Sequence, residues 1–402
     1  MKKIRVGILF GGRSGEHEVS LLSAASVLGA IDRKKYDVVP IGITKEGRWV
    51  TAGHAARLLG GGESGKHLRA GDPEATGPAA VLRKGESVLV PPMPSEALVP
   101  FERKAGEVAT SSPEQVLSVD VIFPVLHGTF GEDGTIQGLF ELAGMAYVGS
   151  GVLGSAAGMD KDTMKRLFQS AKLPIVKWVT FLRGEWEKSP KKVRARIEAS
   201  LKYPVFVKPA NLGSSVGITK AHDAKELPAA IEMAARFDRK IVVEQGVGGK
   251  GKARELEVAV LGNDEPEASV VGEVVPGKEF YDYEAKYLSE GSDLIVPAKL
   301  TKAETKQVRE MAVAAFRACD CAGLARVDFL MEPGKSGSGK SGSGKAGRIY
   351  VNEINTLPGF TSISMYPRLW AASGVAYPEL IDRLIALGME RRADKDRNRY
   401  SL

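Results

Sequence analysis

The opening of the chain limits the choice of fold more than any other stretch. An apolar run covers Ile4 to Phe10, a segment with helical periodicity covers Ser20 to Leu28, and a second apolar run covers Tyr36 to Ile43. Continuous apolar runs are typical of strands buried on both faces of a parallel sheet, and parallel strands need a crossover between them, usually a helix. The pattern therefore predicts a Rossmann-like βαβ unit at the start of an α/β protein.

Two polar loops follow predicted strands of this unit. Residues 11–20 read GGRSGEHEVS, and a second glycine-rich loop containing His127 follows the apolar run Val119 to Val125. Open α/β sheets bind ligands at the carboxyl ends of their strands. The acidic Glu16 suits a cationic group at this edge. His127 either orients a ligand or has a structural role.

Composition restricts the class of protein. The chain has 402 residues and a net charge of +7, a mild basic bias that suits nucleotides and other small anions. We find no nucleic-acid-binding motif and no Lys/Arg clusters interleaved with aromatic residues, so no nucleic-acid partner is expected. Cys319 and Cys321 are too close together for an ordinary disulfide, which favours a reducing compartment. No signal peptide or membrane-spanning run is recognised, so we expect a cytoplasmic protein without a membrane partner.

A strand, a glycine loop and a second strand occupy the middle of the chain. Lys208 ends the first predicted strand, and Gly213, Ser214 and Ser215 lie in the loop after it. Backbone N–H groups and hydroxyls in such a loop can fold over phosphates, which a lysine at the strand end can also reach. Lys161, in the first turn of a predicted helix, is unfavourable to the helix dipole and suggests another phosphate contact.

Two further strands are predicted near the C-terminal end. Residues 326–330 and 349–355 alternate polar and apolar side chains and are joined by a Gly/Ser/Lys run, which predicts a hairpin. If their polar faces coincide, two carboxylates and an amide carbonyl converge, from Asp328, Glu353 and Asn355. Such oxygen ligands suit Mg²⁺ shared with substrate phosphates.

Several other stretches carry no chemistry in this interpretation. Glycines 246, 248 and 251 fit GxGxxG but lead into a strand, and residues 334–341 fit a Walker A motif but precede a strand. A P-loop needs a strand before it and a helix after it, so we reject both matches. Residues 53–112 are interpreted as a surface excursion, and the charged tail from Arg391 is expected to be frayed.

The motifs taken together resemble the D-alanine–D-alanine ligases of the ATP-grasp superfamily. Those that carry the resemblance are GGRSGEHEVS, HGTFGEDGTIQG, MDK, VKPANLGSSVG, YDYEAKY, RVDF and VNEINTLPGFTS, in the family's order. The resemblance implies an α/β, three-domain ATP-grasp architecture with a Rossmann-like N-terminal domain. The implied domains are 1–149, 150–244 and 245–402, the last with a lid loop at 276–297 and a metal-binding hairpin at 325–356.

The resemblance also implies roles for individual residues and a homodimer that binds D-alanine, ATP and two Mg²⁺ ions, with Mn²⁺ as an alternative. The metal ligands are Asp328, Glu353 and Asn355. The expected ATP contacts are Lys161 and Lys208 at the phosphates, Glu244 and Val247 at the adenine, Glu255 at the ribose, and Ser214, Ser215 and Lys286. The expected substrate and catalytic residues are Glu16, His127, Ser214, Tyr287, Arg326, Gly359, Ser364 and Met365.

Tyr287 bears on the choice of substrate. Similar enzymes that make D-alanyl-D-lactate usually carry a His-containing lid here, and a cationic His would repel an incoming ammonium. The neutral Tyr therefore favours the dipeptide D-alanyl-D-alanine, a peptidoglycan precursor. D-alanyl-D-lactate and D-alanyl-D-serine ligases remain alternatives. So does a non-catalytic nucleotide-binding protein on the same fold.

Overall fold

The computed structural model describes residues 2–51, 77–91, 93–94, 97–100, 117–248, 252–276, 292–333 and 347–399. Much of the predicted excursion and of the lid loop lies outside these ranges, as do the Gly/Ser/Lys run at 334–346 and both Lys286 and Tyr287. The described residues form three sheets with helices packed against them.

The first sheet has seven strands in the order β6-β5-β4-β3-β2-β1-β7. These are β1 (Ile4–Gly11), β2 (Tyr36–Ile43), β3 (Trp49–Thr51), β4 (Glu86–Leu89), β5 (Ala97–Pro100), β6 (Leu117–Ser118) and β7 (Val121–Pro124). The helices of this part are α1 (His17–Ala30), α2 (Gly77–Lys84) and α3 (Thr135–Leu142). Strand β1 pairs in parallel with both β2 and β7, so the predicted βαβ opening is confirmed.

Part of the predicted surface excursion belongs to this core instead. The apolar residues of α2 are buried, and β4 and β5 extend the sheet by antiparallel pairing. Ser87 to Val90 could be interpreted as a strand from the sequence, but the short strands and the Gly- and Pro-rich flanks gave no sign of a buried core, because alternation over four residues is a weak signal.

The second sheet has the order β10-β9-β11-β8. Its strands are β8 (Trp178–Leu182), β9 (Val205–Pro209), β10 (Thr219–Ala221) and β11 (Lys240–Gln245). The helices of this region are α4 (Val152–Met159), α5 (Lys161–Ser170), α6 (Arg183–Lys188), α7 (Pro190–Ser200) and α8 (Leu227–Ala235). The side chain of Asp160 accepts a hydrogen bond from the Thr163 N–H and caps α5, which places Lys161 in the first helical position.

The third sheet is antiparallel, in the order β14-β13-β12-β15-β16. Its strands are β12 (Arg254–Gly262), β13 (Glu267–Pro276), β14 (Ser292–Ile295), β15 (Gly323–Met331) and β16 (Ile349–Asn355). Three helices accompany it: α9 (Lys302–Ala318), α10 (Met365–Ala372) and α11 (Tyr377–Lys395). Helix α9 begins with a reciprocal capping box between Thr301 and Glu304.

The prediction that the chain frays from Arg391 is wrong, because α11 continues to Lys395. The Arg391 guanidinium lies 4.1 Å from the centre of the Tyr147 ring, and Lys395 forms an ion pair with Glu141. These contacts hold the end of α11 against the segment that follows the first sheet. A charged sequence can look solvated when its partners are more than two hundred residues away.

Candidate active site

The two polar strands near the C-terminal end form an antiparallel hairpin. Arg326 pairs with Asn355, and Asp328 pairs with Glu353. Directly opposite residues share a face of the sheet, so the two polar faces coincide as predicted. The register shifts immediately after Asp328, which is typical of a β-bulge and re-aims side chains locally.

Arg326 is held by two carboxylates. It makes a forked contact to Asp328, with Nε and Nη2 each 2.7 Å from a carboxylate oxygen, and its Nε lies 3.1 Å from Oε2 of Glu257. Burial alone would lower the pKa of Arg326, but the two carboxylates outweigh it and raise the pKa. The guanidinium is therefore a fixed cation beside the polar face.

Glu257 is a further residue of this face, one that was not predicted from the sequence. It lies on β12 directly opposite Asp328. Its alternation with Glu255 on the same strand was an available signal, because residues two apart share a face.

The donor chemistry at this hairpin fits a divalent ion. Within the described ranges no group of three His, Cys, Asp or Glu side chains has metal-binding geometry. A cation bound at this face would have the oxygens of Asp328, Glu353 and Asn355 as its candidate ligands. Two carboxylates and one carbonyl leave coordination positions for phosphate oxygens and water, as Mg²⁺ prefers.

Three buried charged residues form a second group beside the hairpin. Glu244 lies between two lysines, with Oε2 2.8 Å from Nζ of Lys208 and Oε1 3.1 Å from Nζ of Lys165. Burial would raise the pKa of Glu244, but the lysines lower it to about 2. The negative charge of Glu353 favours the charged form of both lysines, although burial still lowers the pKa of Lys165, so this group lies within electrostatic reach of the hairpin.

Lys165 was also missed by the sequence analysis, although it lies one helical turn after Lys161 and is fully buried. Its ion pair occupies the carboxylate that was assigned to adenine. Burial lowers the pKa of Lys165 more than Glu244 raises it. The adenine contact of Glu244 stays a prediction.

The glycine loop reaches back to the first sheet. The Ser214 hydroxyl donates a hydrogen bond to Oε1 of Glu16, and Nζ of Lys161 donates to the carbonyl of Leu212 at 2.7 Å. Ser214 and Ser215 have φ of 50° and 59°, a conformation that non-glycine residues adopt at some cost. The loop is thus bent so that one hydroxyl points at the edge of the first sheet.

A second carboxylate, which the sequence analysis missed, lies beside Glu16. Glu132 is buried and accepts a hydrogen bond from the Gly128 N–H at 2.8 Å. A Cβ on Gly213 would lie 3.2 Å from Oε1 of Glu16 and 4.0 Å from Oε2 of Glu132, so both carboxylates face the glycine loop. Burial first, and then Glu16, raise the pKa of Glu132 well above its usual value. The local sequence Gly131-Glu132-Asp133 does not indicate that this glutamate is buried.

The remaining predicted site residues of the described ranges lie at several places around these two groups. Gly359 and Ser364 are neighbours, since a Cβ on Gly359 would lie 3.3 Å from the Ser364 hydroxyl oxygen. The Met365 side chain is buried and its sulfur packs near Gly272 of β13, so mainly its backbone can line a pocket. Glu255 acts electrostatically on Lys208, and Val247 follows β11.

His127 is buried at the loop after β7. Its ring contacts Ser23 of α1 and the backbone of Leu357. The two ring nitrogens therefore face the protein. A direct contact of His127 with substrate stays a prediction.

Models of two protein families match the chain. "D-ala D-ala ligase N-terminus" matches residues 5–150 and "D-ala D-ala ligase C-terminus" matches residues 167–386. A D-alanine--D-alanine ligase of Ruminiclostridium cellulolyticum is 48% identical over 400 residues, covering 99% of this chain and 98% of its own length.

Solved structures are similar in sequence and in fold. The D-alanine-D-alanine ligase from Coxiella burnetii is 32% identical with a TM-score of 0.75, covering 98% of this chain and 97% of its own. The VanG D-Ala:D-Ser ligase from Enterococcus faecalis is 34% identical with a TM-score of 0.72, covering 96% of this chain and 100% of its own. Among the helices that the structure describes, none has the length and apolar character to cross a membrane.

Proposed function

The chain belongs to the D-alanine–D-alanine ligase family, and on that premise we propose that it joins two D-alanines into D-alanyl-D-alanine. ATP would activate the carboxylate of the first D-alanine as D-alanyl phosphate, and the amine of the second would attack it. The product would serve peptidoglycan precursor synthesis. We further propose a cytoplasmic location, where ATP is supplied, and a homodimer, as the sequence resemblance implies.

The hairpin register is the observation that best supports this chemistry. It aligns Arg326 with Asn355 and Asp328 with Glu353, so a fixed cation lies beside three oxygen donors. Phosphoryl transfer to a carboxylate develops negative charge, and its catalysis consists mainly of positioning and electrostatic stabilisation. A cation and a metal-binding face side by side are what such a reaction requires.

The oxygen donors fit the proposed metal. Asp328, Glu353 and Asn355 would hold Mg²⁺, or Mn²⁺ in its place, which supplies positive charge to the ATP phosphates. Lys161 and Lys208 would also contact the phosphates. Lys161 donates a hydrogen bond to the glycine loop, and the charge of Glu353 acts on Lys208, so both lysines lie near the proposed phosphate site. Ser215 would close over the phosphates, and Val247 and Glu255 would border the nucleoside.

Glu16 would receive the ammonium of the first D-alanine. Its hydrogen bond with Ser214 places the carboxylate next to the glycine loop, and Glu132 adds a second hydrogen-bond acceptor nearby. Arg326 and Gly359 would stabilise the tetrahedral intermediate, while Ser364 and the backbone of Met365 would bind the second D-alanine. Lys286 and Tyr287 keep the lid roles that the sequence suggests.

The domain division stays part of the proposal. The division is supported by the sheets, since β1–β7, β8–β11 and β12–β16 each form one sheet, although β11 extends to Gln245, one residue past the proposed boundary. ATP would bind between the second and third. Limited proteolysis with and without an ATP analogue would test whether cleavage concentrates near these boundaries.

Substrate choice needs a direct test because a D-Ala:D-Ser ligase has a similar structure. Phosphate release from ATP with Mg²⁺ should be measured with D-alanine, with L-alanine, and with D-alanine plus either D-lactate or D-serine. We expect release with D-alanine and a product of D-alanyl-D-alanine mass. A depsipeptide or D-alanyl-D-serine as the main product would contradict the substrate assignment, and no turnover despite ATP binding would favour the non-catalytic alternative.

A further inference from the structure

Both ring nitrogens of His127 are engaged by other parts of the chain. Nδ1 lies 3.0 Å from the carbonyl oxygen of Leu357, and Nε2 lies 3.0 Å from the hydroxyl oxygen of Ser23. A carbonyl oxygen only accepts, so Nδ1 carries the proton and Nε2 accepts from the Ser23 hydroxyl. Burial lowers the pKa of His127 more than Glu16 and the Leu357 bond raise it, which agrees with a neutral ring.

The direction of these bonds leaves the Ser23 oxygen able to accept. The Phe360 N–H donates to it over 3.4 Å, a long bond. The hydrogen bonds therefore run from the Phe360 N–H through Ser23 and His127 to the Leu357 carbonyl. They start and end on the same four-residue segment, 357–360. We call this chain of hydrogen bonds the relay, and both of its side chains, Ser23 and His127, are buried.

This arrangement leaves one backbone donor in the middle of the segment. Pro358 has no N–H, and the Phe360 N–H points at Ser23, so the Gly359 N–H lies between two anchored peptides. It has no hydrogen-bond acceptor within the part of the chain that the structure describes. Gly359 also borders the Ser364 hydroxyl.

We infer that Ser23 and His127 are positioning residues that orient the Gly359 N–H toward the reacting carbonyl. The inference rests on the proposed ligase function, in which Gly359 stabilises the tetrahedral intermediate. A preorganised donor is effective only when its direction is fixed before the reaction, because reorientation at that moment costs free energy. Ser23 lies on α1 and contacts His127 and the Phe360 N–H, so we expect its effect to reach the reaction through this segment.

Ser23→Ala, His127→Asn and the double variant test the inference. Ser23→Ala removes both bonds of the hydroxyl, and His127→Asn removes the acceptor for Ser23. Ser26→Ala on the same helix is the matched control, since Ser26 is part-buried and outside the relay. Two readouts are needed: steady-state kinetics with ATP and D-alanine, and hydrogen exchange of the peptide spanning 357–360.

We expect Ser23→Ala to exchange faster at 357–360 and to lower kcat roughly tenfold to a hundredfold, with KM for ATP unchanged. The double variant should be little worse than either single variant, because both act through one relay. Ser26→Ala should match the wild-type protein in both readouts.

Unchanged exchange in Ser23→Ala, or faster exchange with unchanged kcat, would overturn the inference. A rise in KM for ATP as large as the fall in kcat would also overturn it, because that indicates general damage to the protein. So would a fall in kcat in the double variant equal to the sum of the two single effects. If the wild-type protein ligates no amino acid while exchange at 357–360 still responds to Ser23→Ala, the proposed function fails and the Ser23 contact stands.

Discussion

Ser214 donates a hydrogen bond to Glu16, a residue 198 positions earlier in the chain. The contact joins the glycine loop of the second sheet to the edge of the first. Hydrogen bonds to charged groups contribute about 1.5–3 kcal/mol, which corresponds to roughly tenfold to a hundredfold in an equilibrium or rate. We therefore expect the contact to stabilise Glu16 beside the glycine loop.

Ser214→Ala should lower kcat/KM for D-alanine by roughly tenfold to a hundredfold, because Glu16 loses its partner and the loop its anchor. Initial-rate kinetics at saturating ATP would measure the change. Ser200→Ala, at an exposed position of α7, is the control. An unchanged kcat/KM in Ser214→Ala would show that the contact does not contribute to substrate binding or turnover.

The buried group of Lys165, Glu244 and Lys208 should make stability depend on acid pH. The pKa of Glu244 is lowered from 4.5 to about 2, so the stability it contributes is present above pH 4.5 and is lost as pH falls toward 2. Glu244→Gln should cost about 3–5 kcal/mol at pH 7, because two lysines lose their buried partner. Urea unfolding between pH 2 and 7 would measure both effects.

Lys165→Met is a second variant for this group, since it keeps the length of the side chain and leaves Glu244 with Lys208. It should destabilise the protein less than Glu244→Gln does. Equal stability of Glu244→Gln and the wild-type protein at pH 7 would contradict the importance of the group.

Glu132→Gln should become more stable relative to the wild-type protein as pH rises. The pKa of Glu132 is raised above 4.5 by burial and by Glu16, so its folded form favours the proton and loses stability as pH increases. Glutamine mimics the neutral acid, and its oxygen can still accept from the Gly128 N–H. The measurement is Tm against pH for both proteins, with the exposed change Glu232→Gln as control. A Tm difference that shrinks with rising pH would refute the assignment.

Tyr287→His should admit D-lactate as second substrate at mildly acid pH. Below its pKa of about 6.5 the imidazole is a cation that repels the ammonium of D-alanine but not a neutral hydroxyl. Mass spectrometry of the products at pH 6 and 8 would reveal D-alanyl-D-lactate. Tyr287→Phe, which cannot become cationic, should make none. Absence of the depsipeptide from the Tyr287→His reaction at pH 6 would remove this explanation of selectivity.

Local patterns predicted much of the fold. The strands at 36–43 and 349–355 have the bounds that their sequence patterns indicate. The 326–330 and 349–355 hairpin was predictable too, because alternation fixes which side chains share a face.

Contacts between residues far apart in the chain could not be predicted from the sequence, because they form only when the chain folds. Lys165 and Glu132 look like ordinary charged residues of a helix and a loop, and only long-range packing buries them. Ser23 reads as a small residue in an apolar helix. Its role depends on contacts with His127 and Phe360, which lie 104 and 337 residues away in the sequence.

One apolar core joins β1 and β7 to the helices at the other end of the chain. Phe10 and Phe123 lie in the same cluster as Tyr366, Leu380 and Leu384. At about 5–20 residues per second of translation, strand β1 is synthesised roughly 20 seconds to more than a minute before these helices. During that time their apolar side chains lack the part of their native cover that α10 and α11 supply. The ribosome-bound chain is therefore a natural client for chaperones until α11 emerges.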